Sequence, residues 1–307
     1  MGSALITSRA VIGTFYAALE QGASDWVNAL AFKTQSDQAS ESYAWLGQSP
    51  AMREWLGGRN AKTLREFSFD IKNKEHEATL EVTVPELRRD KTGQLNVRIM
   101  ELADRVLAYP AKLMSTLMIA GESATCYDGQ YFFDTDHAEG DSGTQSNDLS
   151  ATAAVPATPT VAEMRSAVLA MLAAVIGFKD DRGEPMNENA KSFTLMVPLS
   201  MYATAVEAVA LPTVQSGGQN ILQNLPDGIT ISVRANVRLT WTTKIALYRT
   251  DGRVKPFILQ EEMPVSMKAV AEGSELEFNE NKHHYGVDWS GNVGYGYWQH
   301  ACLTTFA

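Results

Sequence analysis

The stretch Arg65–Val84, REFSFDIKNKEHEATLEVTV, alternates apolar and polar residues in two successive runs. Phe67, Phe69 and Ile71 alternate with Glu66, Ser68, Asp70 and Lys72, and Ala78, Leu80 and Val82 alternate with Glu77, Thr79, Glu81 and Thr83. A period of two sends successive side chains to opposite faces, so each run reads as a strand with one apolar face. A turn at Asn73–His76 would set Phe67 opposite Val82, Phe69 opposite Leu80, Ile71 opposite Ala78, and Lys72 against Glu77. A two-stranded ribbon is marginal alone in water. This β-hairpin near 65–84 is therefore expected to lie on a larger body, its own or that of a neighbouring copy.

Toward the N-terminus, residues 9–20 place Val11, Ile12, Phe15, Tyr16 and Leu19 at helical spacing with Gly22 as a stop, an amphipathic helix with little chain around it to bury against. Residues 34–44 read as a polar loop. Tyr43, Trp45, Leu46, Met52, Trp55 and Leu56 then crowd aromatic bulk into a short segment that needs a covering partner. Helix, aromatic segment and ribbon do not close a core by themselves, which makes sense when copies of the chain clasp one another.

Toward the C-terminus, Asn96–Gly121 carries Val97, Met100, Leu102, Val106, Leu107, Leu113, Met114, Leu117 and Met118 at helical spacing, with Pro110 expected to kink the helix. Residues 139–160 are a Ser/Thr/Ala/Gly-rich loop leading into a second helix, Val161–Ile176. Beyond Gly183 the pattern turns to strands at Phe193–Val197, Ile229–Val233, Lys244–Arg249 and Phe257–Gln260, with a helix near Leu199–Ala210. The last stretch, Pro264–Phe306, alternates over long runs and is rich in aromatic residues.

The 307 residues are 45% apolar and 20% charged, which excludes collagen, coiled-coil and disordered classes. Acidic residues exceed basic ones by 36 to 26. Residues 1–100 hold 12 of each, so the remainder carries the whole excess. Gly121–Ser150 contains seven acids and neither Lys nor Arg, a surface expected to avoid polyanions. Cys126 and Cys302 stand far apart with no CxxC, an intracellular pattern without a disulfide framework. Met1–Ala10 lacks a secretory n-region, and the apolar run between Arg165 and Lys179 is too short to span a bilayer, so no membrane partner is expected.

Several residue groups invite a chemical reading. Gly140-Asp141-Ser142-Gly143 spells part of a serine nucleophile motif, but without the following Gly-Pro or a suitably placed histidine. Asp134, Asp136, His137, Glu139 and Asp141 gather hard donors, yet Ala138 and Gln145 break the calcium-loop spacing. His283 and His284 adjoin and would face opposite ways on a strand; His300 and Cys302 read as core. Gly291, Gly294 and Gly296 have no following helix to hold a phosphate. No catalytic residue, cofactor or metal is expected.

At Tyr43-Ala44-Trp45-Leu46-Gly47, Met52-Arg53-Glu54-Trp55-Leu56-Gly57, Cys126 to Asp134 (CYDGQYFFD, with His137 soon after) and Gly294 to Gln299 (GYGYWQ), the chain resembles the major head subunit family of Mu-like tailed phages. The resemblance implies the α+β Hong Kong 97 capsid fold: an N-terminal arm over 1–56, an extended loop over 57–95, a peripheral domain over 96–189 and 253–307 with a long spine helix, and an axial domain over 190–252. It implies a non-enzymatic shell protein that assembles with itself into hexamers and pentamers, encloses double-stranded DNA without reading its sequence, and works with a portal, a decoration protein and a separate scaffold protein, in the host cytoplasm and then in the virion. Trp45, Trp55, Phe67, Phe69, Ile71, Leu80 and Val82 are the expected intersubunit contacts. The alternatives are a nanocompartment shell of the same fold and a soluble hydrolase built on Ser142 or the acidic cluster.

Overall fold

Strand-forming and helix-forming stretches sort into two main sheets and a two-stranded pair, flanked by helices, in the computed structural model, which describes residues 7–22, 25–43, 69–89, 93–213, 219–223 and 225–307. The elements are α1 (Ser8–Gln21), α2 (Asp25–Leu30), β1 (Ala31–Gln35), β2 (Ser40–Ser42), β3 (Asp70–Lys72), β4 (Lys74–Thr83), α3 (Val84–Arg89), α4 (Gln94–Leu107) and α5 (Tyr109–Ile119). They continue as β5 (Asp148–Ala151), α6 (Val161–Gly177), β6 (Ser192–Val197), α7 (Tyr202–Ala210), β7 (Thr230–Ala235), β8 (Lys244–Arg249), β9 (Phe257–Val270), α8 (Glu275–Glu280), β10 (Lys282–Tyr295) and β11 (Ala301–Phe306).

The alternation of residues 74–83 does make a strand with one sheltered face: His76, Ala78 and Leu80 are half-buried and Val82 is buried, while the intervening residues are exposed. Its partner differs from the expected one. β4 lies antiparallel to β10, in register from Lys282–Thr83 to Gly291–Lys74, and β3 pairs with β2. Among the described residues, β3 and β4 do not pair with each other. The ladder on β10 is longer than the local ribbon could offer, and it satisfies more backbone groups beside a real core. Asn73, read as part of the turn, instead ties segments together: its amide nitrogen donates to Ser36 Oγ and Gln38 O, and its Oδ1 accepts from Gln260.

The first sheet runs β1-β9-β10-β4 and the second β5-β11-β8-β6-β7. The second sheet draws β6, β7 and β8 from residues 190–252 and β5 and β11 from outside that range. The reason lies in β8, where Ile245 to Tyr248 are fully buried: a central strand needs partners on both edges, and β6 covers only one while β11 covers the other.

Helix α1 also finds its own cover. A Thr7 cap opens it, and Val11 and Phe15, both 0% exposed, pack with Leu95, Ile99 and Ala103 of α4 and with Met267 and Tyr285 of the first sheet. The expectation that this helix lacks a place to bury is overturned, since the α4 stripe meets it within the same chain. Fully burying Phe15 is worth roughly 1.5–3 kcal/mol before ordering costs.

The long helix breaks where the proline predicts. α4 ends at Leu107, Ala108 bridges, and α5 begins with Pro110 in its first turn, where the missing N–H costs least. Helix α6 opens with a capping box, Thr160 and Glu163, and its apolar surface covers the second sheet beside α7.

Candidate functional site

Two of the sequence stretches that carry the family resemblance meet in the core. Residues 126–133 fold as a turn, with Gly129 N–H donating to Cys126 O and Gly129 at φ +89°, a conformation that favours glycine. The turn lies on the segment joining β10 to β11. Phe132 stacks on Tyr295 at 4.5 Å between ring centroids, Tyr127 packs edge-on to Tyr297, and the Tyr127 hydroxyl donates to Gln299 Oε1 at 3.0 Å. His137 lies flat on Trp298, with centroids 3.9 Å apart and planes 7° from parallel.

Beneath this stack sits a buried polar group. The Cys126 thiol is 3.0 Å from Asp128 Oδ1, and His137 Nδ1 is 2.7 Å from Asp128 Oδ2. His137 Nε2 is 3.3 Å from Oδ1 of Asn147, which is itself fully buried. Burial first, and then the Asp128 charge, push the Cys126 thiol up. Burial alone would raise the Asp128 carboxyl, but its bonds to His137 and Cys126 outweigh that and hold it low. Glu139 is pushed up to about 7, chiefly by burial and against a hydrogen bond from Tyr127.

The remaining chemical candidates do not converge. Ser142 is buried; its hydroxyl donates to Gly143 O and accepts from Glu139 N–H, so it closes a turn. Asp134 accepts from the Tyr131 and Thr135 amides, and the carboxyl of the exposed Asp136 is raised by its hydrogen bond to Asp134. His137 turns away from these acids, toward Cys126 and Asp128. His283 is buried and its neighbour His284 is half-exposed, as strand alternation requires. Burial lowers His300 to about 3, and Cys302 is buried with its thiol pushed up by that burial. The glycines of β10 and its end serve close approach: a Cβ on Gly294 would meet Ile71, and one on Gly296 would meet the Lys255 carbonyl.

The expected contact residues fall into two groups. Trp45, Trp55 and Phe67, with most of the Tyr43–Gly57 stretch, lie outside the described residues. Of the others, Ile71 and Val82 are 3% and 2% exposed within the chain, so its own cores already cover them and they are not free for a neighbour. Phe69 and Leu80 are half-buried against those same cores. β2 and β3 pair antiparallel, and Tyr43 N–H donates to Phe69 O, so the chain leaves at residue 43 and returns at residue 69 from adjacent points. Exposed apolar side chains sit elsewhere: Val97 and Met100 on α4; Leu199, Tyr202, Leu211 and Ile221 around α7; Val237; and Phe278 on α8. Single-chain patterning could not separate these from core positions.

The family model described as Mu-like prophage major head subunit gpT matches residues 7–161 and 228–305. The Mu-like prophage FluMu major head subunit of Haemophilus influenzae is 36% identical over 111 residues, 36% of this chain and 36% of that protein. The major capsid protein of Escherichia phage Mu is 31% identical over 123 residues, 40% of each chain. These matches span less than half the length of either relative. Among solved structures, the procapsid of bacteriophage JBD30 superposes with a TM-score of 0.57 at 25% identity, covering 96% of this chain and 72% of that one. A virus-like particle from Pyrococcus furiosus superposes at 0.56 with 10% identity, covering 96% and 98%. The capsid of Myoviridae phage XM1 does so at 0.53 with 14% identity, covering 93% and 92%. The two-sheet architecture is thus the α+β Hong Kong 97 type of capsid fold.

Proposed function

The chain belongs to the family of Mu-like prophage major head subunits, and from that membership we propose that it is the repeating subunit of a tailed-phage head, assembling with itself into a closed shell around double-stranded DNA. The observation that carries this reading is the family match at both ends of the chain together with a fold shared with a phage procapsid over 96% of its residues. Assembly is the activity, and no catalytic step is assigned. The committed hydroxyl of Ser142 supports that view.

Residues 44–68, which leave and rejoin the body beside the β2–β3 pair, carry Trp45, Trp55 and Phe67 and are the proposed reach to a neighbouring subunit. The exposed apolar group around α7 is the proposed contact among axial parts of hexamers and pentamers. Individual contacts of this size are weak once ordering costs are counted, so a shell gains from their number. A net charge of −10, with the acidic stretch 121–150 free of Lys and Arg, suits a container that must not grip its genome. Scaffold, portal and decoration proteins are the proposed partners, and the virion, after assembly in the host cytoplasm, the proposed location. Among the described residues no helix is long and apolar enough to cross a membrane.

The rival reading is a cargo-enclosing compartment of the same fold; the likeness to the virus-like particle from Pyrococcus furiosus, at 10% identity, speaks for the fold alone. Negative-stain electron microscopy of the recombinant protein, with and without a candidate scaffold protein from the same genome, tests the proposal. Shells, five- or six-membered rings or sheets are expected, and shells made in infected cells should protect DNA from nuclease. A monomer under both conditions, or shells holding protein cargo in place of DNA, would overturn it.

A further inference from the structure

Asn147 fixes the orientation of the buried group beneath Trp298. Its Nδ2 donates to the carbonyls of Phe132 at 2.8 Å and Trp298 at 3.4 Å, and its Oδ1 accepts the Asp134 amide at 2.9 Å. The amide therefore cannot be reversed without facing donors to donors and acceptors to acceptors. Its oxygen is an acceptor toward His137 Nε2 at 3.3 Å, so that nitrogen carries the proton. In a neutral ring Nδ1 is then a bare lone pair, yet it stands 2.7 Å from Asp128 Oδ2. The Nδ1 lone pair and the carboxylate oxygen thus converge on the same small space. On the other side of the same carboxylate lies the Cys126 sulfur, and the three donor atoms, one S, one O and one N, fall within 4.8 Å of one another.

The geometry points to a metal-binding site for a divalent, thiophilic cation, zinc by its donor chemistry, held by Cys126 Sγ, an Asp128 carboxylate oxygen and His137 Nδ1. Cys, His and Asp are zinc ligands at about 2.3, 2.0–2.1 and 2.0–2.2 Å. Spanning an ion at those lengths requires the present contacts to open by a few tenths of an ångström. Asn147 supplies what zinc histidines generally have, a fixed partner on the other ring nitrogen that selects the tautomer and aims the lone pair. The turn closed by Gly129 brings Cys126 and Asp128 together, and the Trp298 stack holds the His137 plane. Binding replaces two protons, the thiol proton of Cys126 and the one that otherwise bridges Nδ1 and Asp128; both leave to solvent, and water takes the remaining coordination position. The ion would staple the turn at residues 126–128 to His137, whose ring stacks on Trp298 in the segment after β10.

The test uses the full chain, purified without chelator and dialysed against metal-free buffer, with zinc measured by elemental analysis and with Co(II) added as a spectroscopic probe. The wild type should retain about one zinc per chain, and cobalt should produce an intense thiolate-to-metal charge-transfer band. Cys126→Ser keeps an O–H that can donate to Asp128, so the hydrogen-bonded turn survives, but it should retain at least ~10-fold less zinc and lose the band. Asp136→Asn, an exposed acid outside the donor set, should match the wild type. Wild-type protein with no more zinc than Cys126→Ser, and no thiolate band with cobalt, would overturn the site and leave a bridging proton in its place. Should Cys126→Ser fail to fold, the wild-type cobalt spectrum alone decides the question.

Discussion

His300 is the residue whose burial has the clearest thermodynamic consequence. Enclosed beside Tyr297 and near Arg249, it is held neutral in the folded chain down to about 3, against an ordinary value near 6.5 in the unfolded chain. Between those values the unfolded chain binds a proton that the folded chain refuses. Stability contributed at this position is therefore complete above about pH 6.5 and falls as pH drops toward 3, by at most about 1.4 kcal/mol per pH unit. Glu139 works in the opposite sense: raised to about 7, it keeps a proton that the unfolded chain releases above its usual 4.5, so stability falls as pH rises through that window. The two overlap, and a single-residue difference separates them. Urea unfolding of the unassembled subunit should show wild type losing stability relative to His300→Gln as pH falls from about 6.5 to about 3. A difference that stays flat with pH would refute the neutral, buried histidine. At this scale His137 was visible in the sequence as a candidate ligand, but among the wrong neighbours. Spacing groups it with Asp134, Asp136, Glu139 and Asp141, whereas a turn at Gly129 delivers Cys126 and Asp128 to it from upstream.

Elements were easier to read than their partners. The helix interrupted at Pro110, the helix opening after Thr160 and the strand Lys244–Arg249 all stand where local pattern puts them, because capping, proline geometry and periodicity are properties of neighbouring residues. The ribbon fails for the complementary reason: period-two alternation names the apolar face of β4 but says nothing of which edge it joins. Strand β10 shows how such choices are enforced. Gly291, Gly294 and Gly296, unremarkable as a nucleotide motif, mark where other chain segments press close. A Cβ on Gly296, just past the strand, would stand 2.3 Å from the Lys255 carbonyl, a backbone atom that cannot swing aside, whereas one on Gly286 would meet nothing nearer than Thr79 Oγ1 at 3.7 Å. Gly296→Ala is expected to lower stability by about 2 kcal/mol or more, while Gly286→Ala stays within about 0.5–1 kcal/mol of wild type. Thermal melting of the two variants checks the pair, and equal melting temperatures would contradict the close approach.

At the scale of the whole molecule, the residues that hold the fold together are separate from those proposed for assembly. Because α1, Ile71 and Val82 are buried within the chain, their truncation should weaken the subunit itself; Ile71→Ala is expected to cost about 2–5 kcal/mol. Trp45→Ala combined with Trp55→Ala should instead leave the melting temperature of the unassembled subunit within a few degrees of wild type while reducing shell yield at least tenfold, a factor that about 1.4 kcal/mol of lost contact energy supplies. Sucrose-gradient sedimentation reads the yield, and undiminished shells would remove this segment from the assembly contact. The sequence by itself determined the class of the chain, its one-sided strands and striped helices, its acidic balance and its family, since these rest on composition, short-range periodicity and residues quoted in order. Only the tertiary structure decided that β4 pairs with β10, that β5 and β11 complete the second sheet, that α1 packs at home, and that Cys126, Asp128 and His137 share one centre. Those outcomes join residues many positions apart, and they are settled by which distant edge or face can satisfy the most backbone groups and bury the most apolar surface at once.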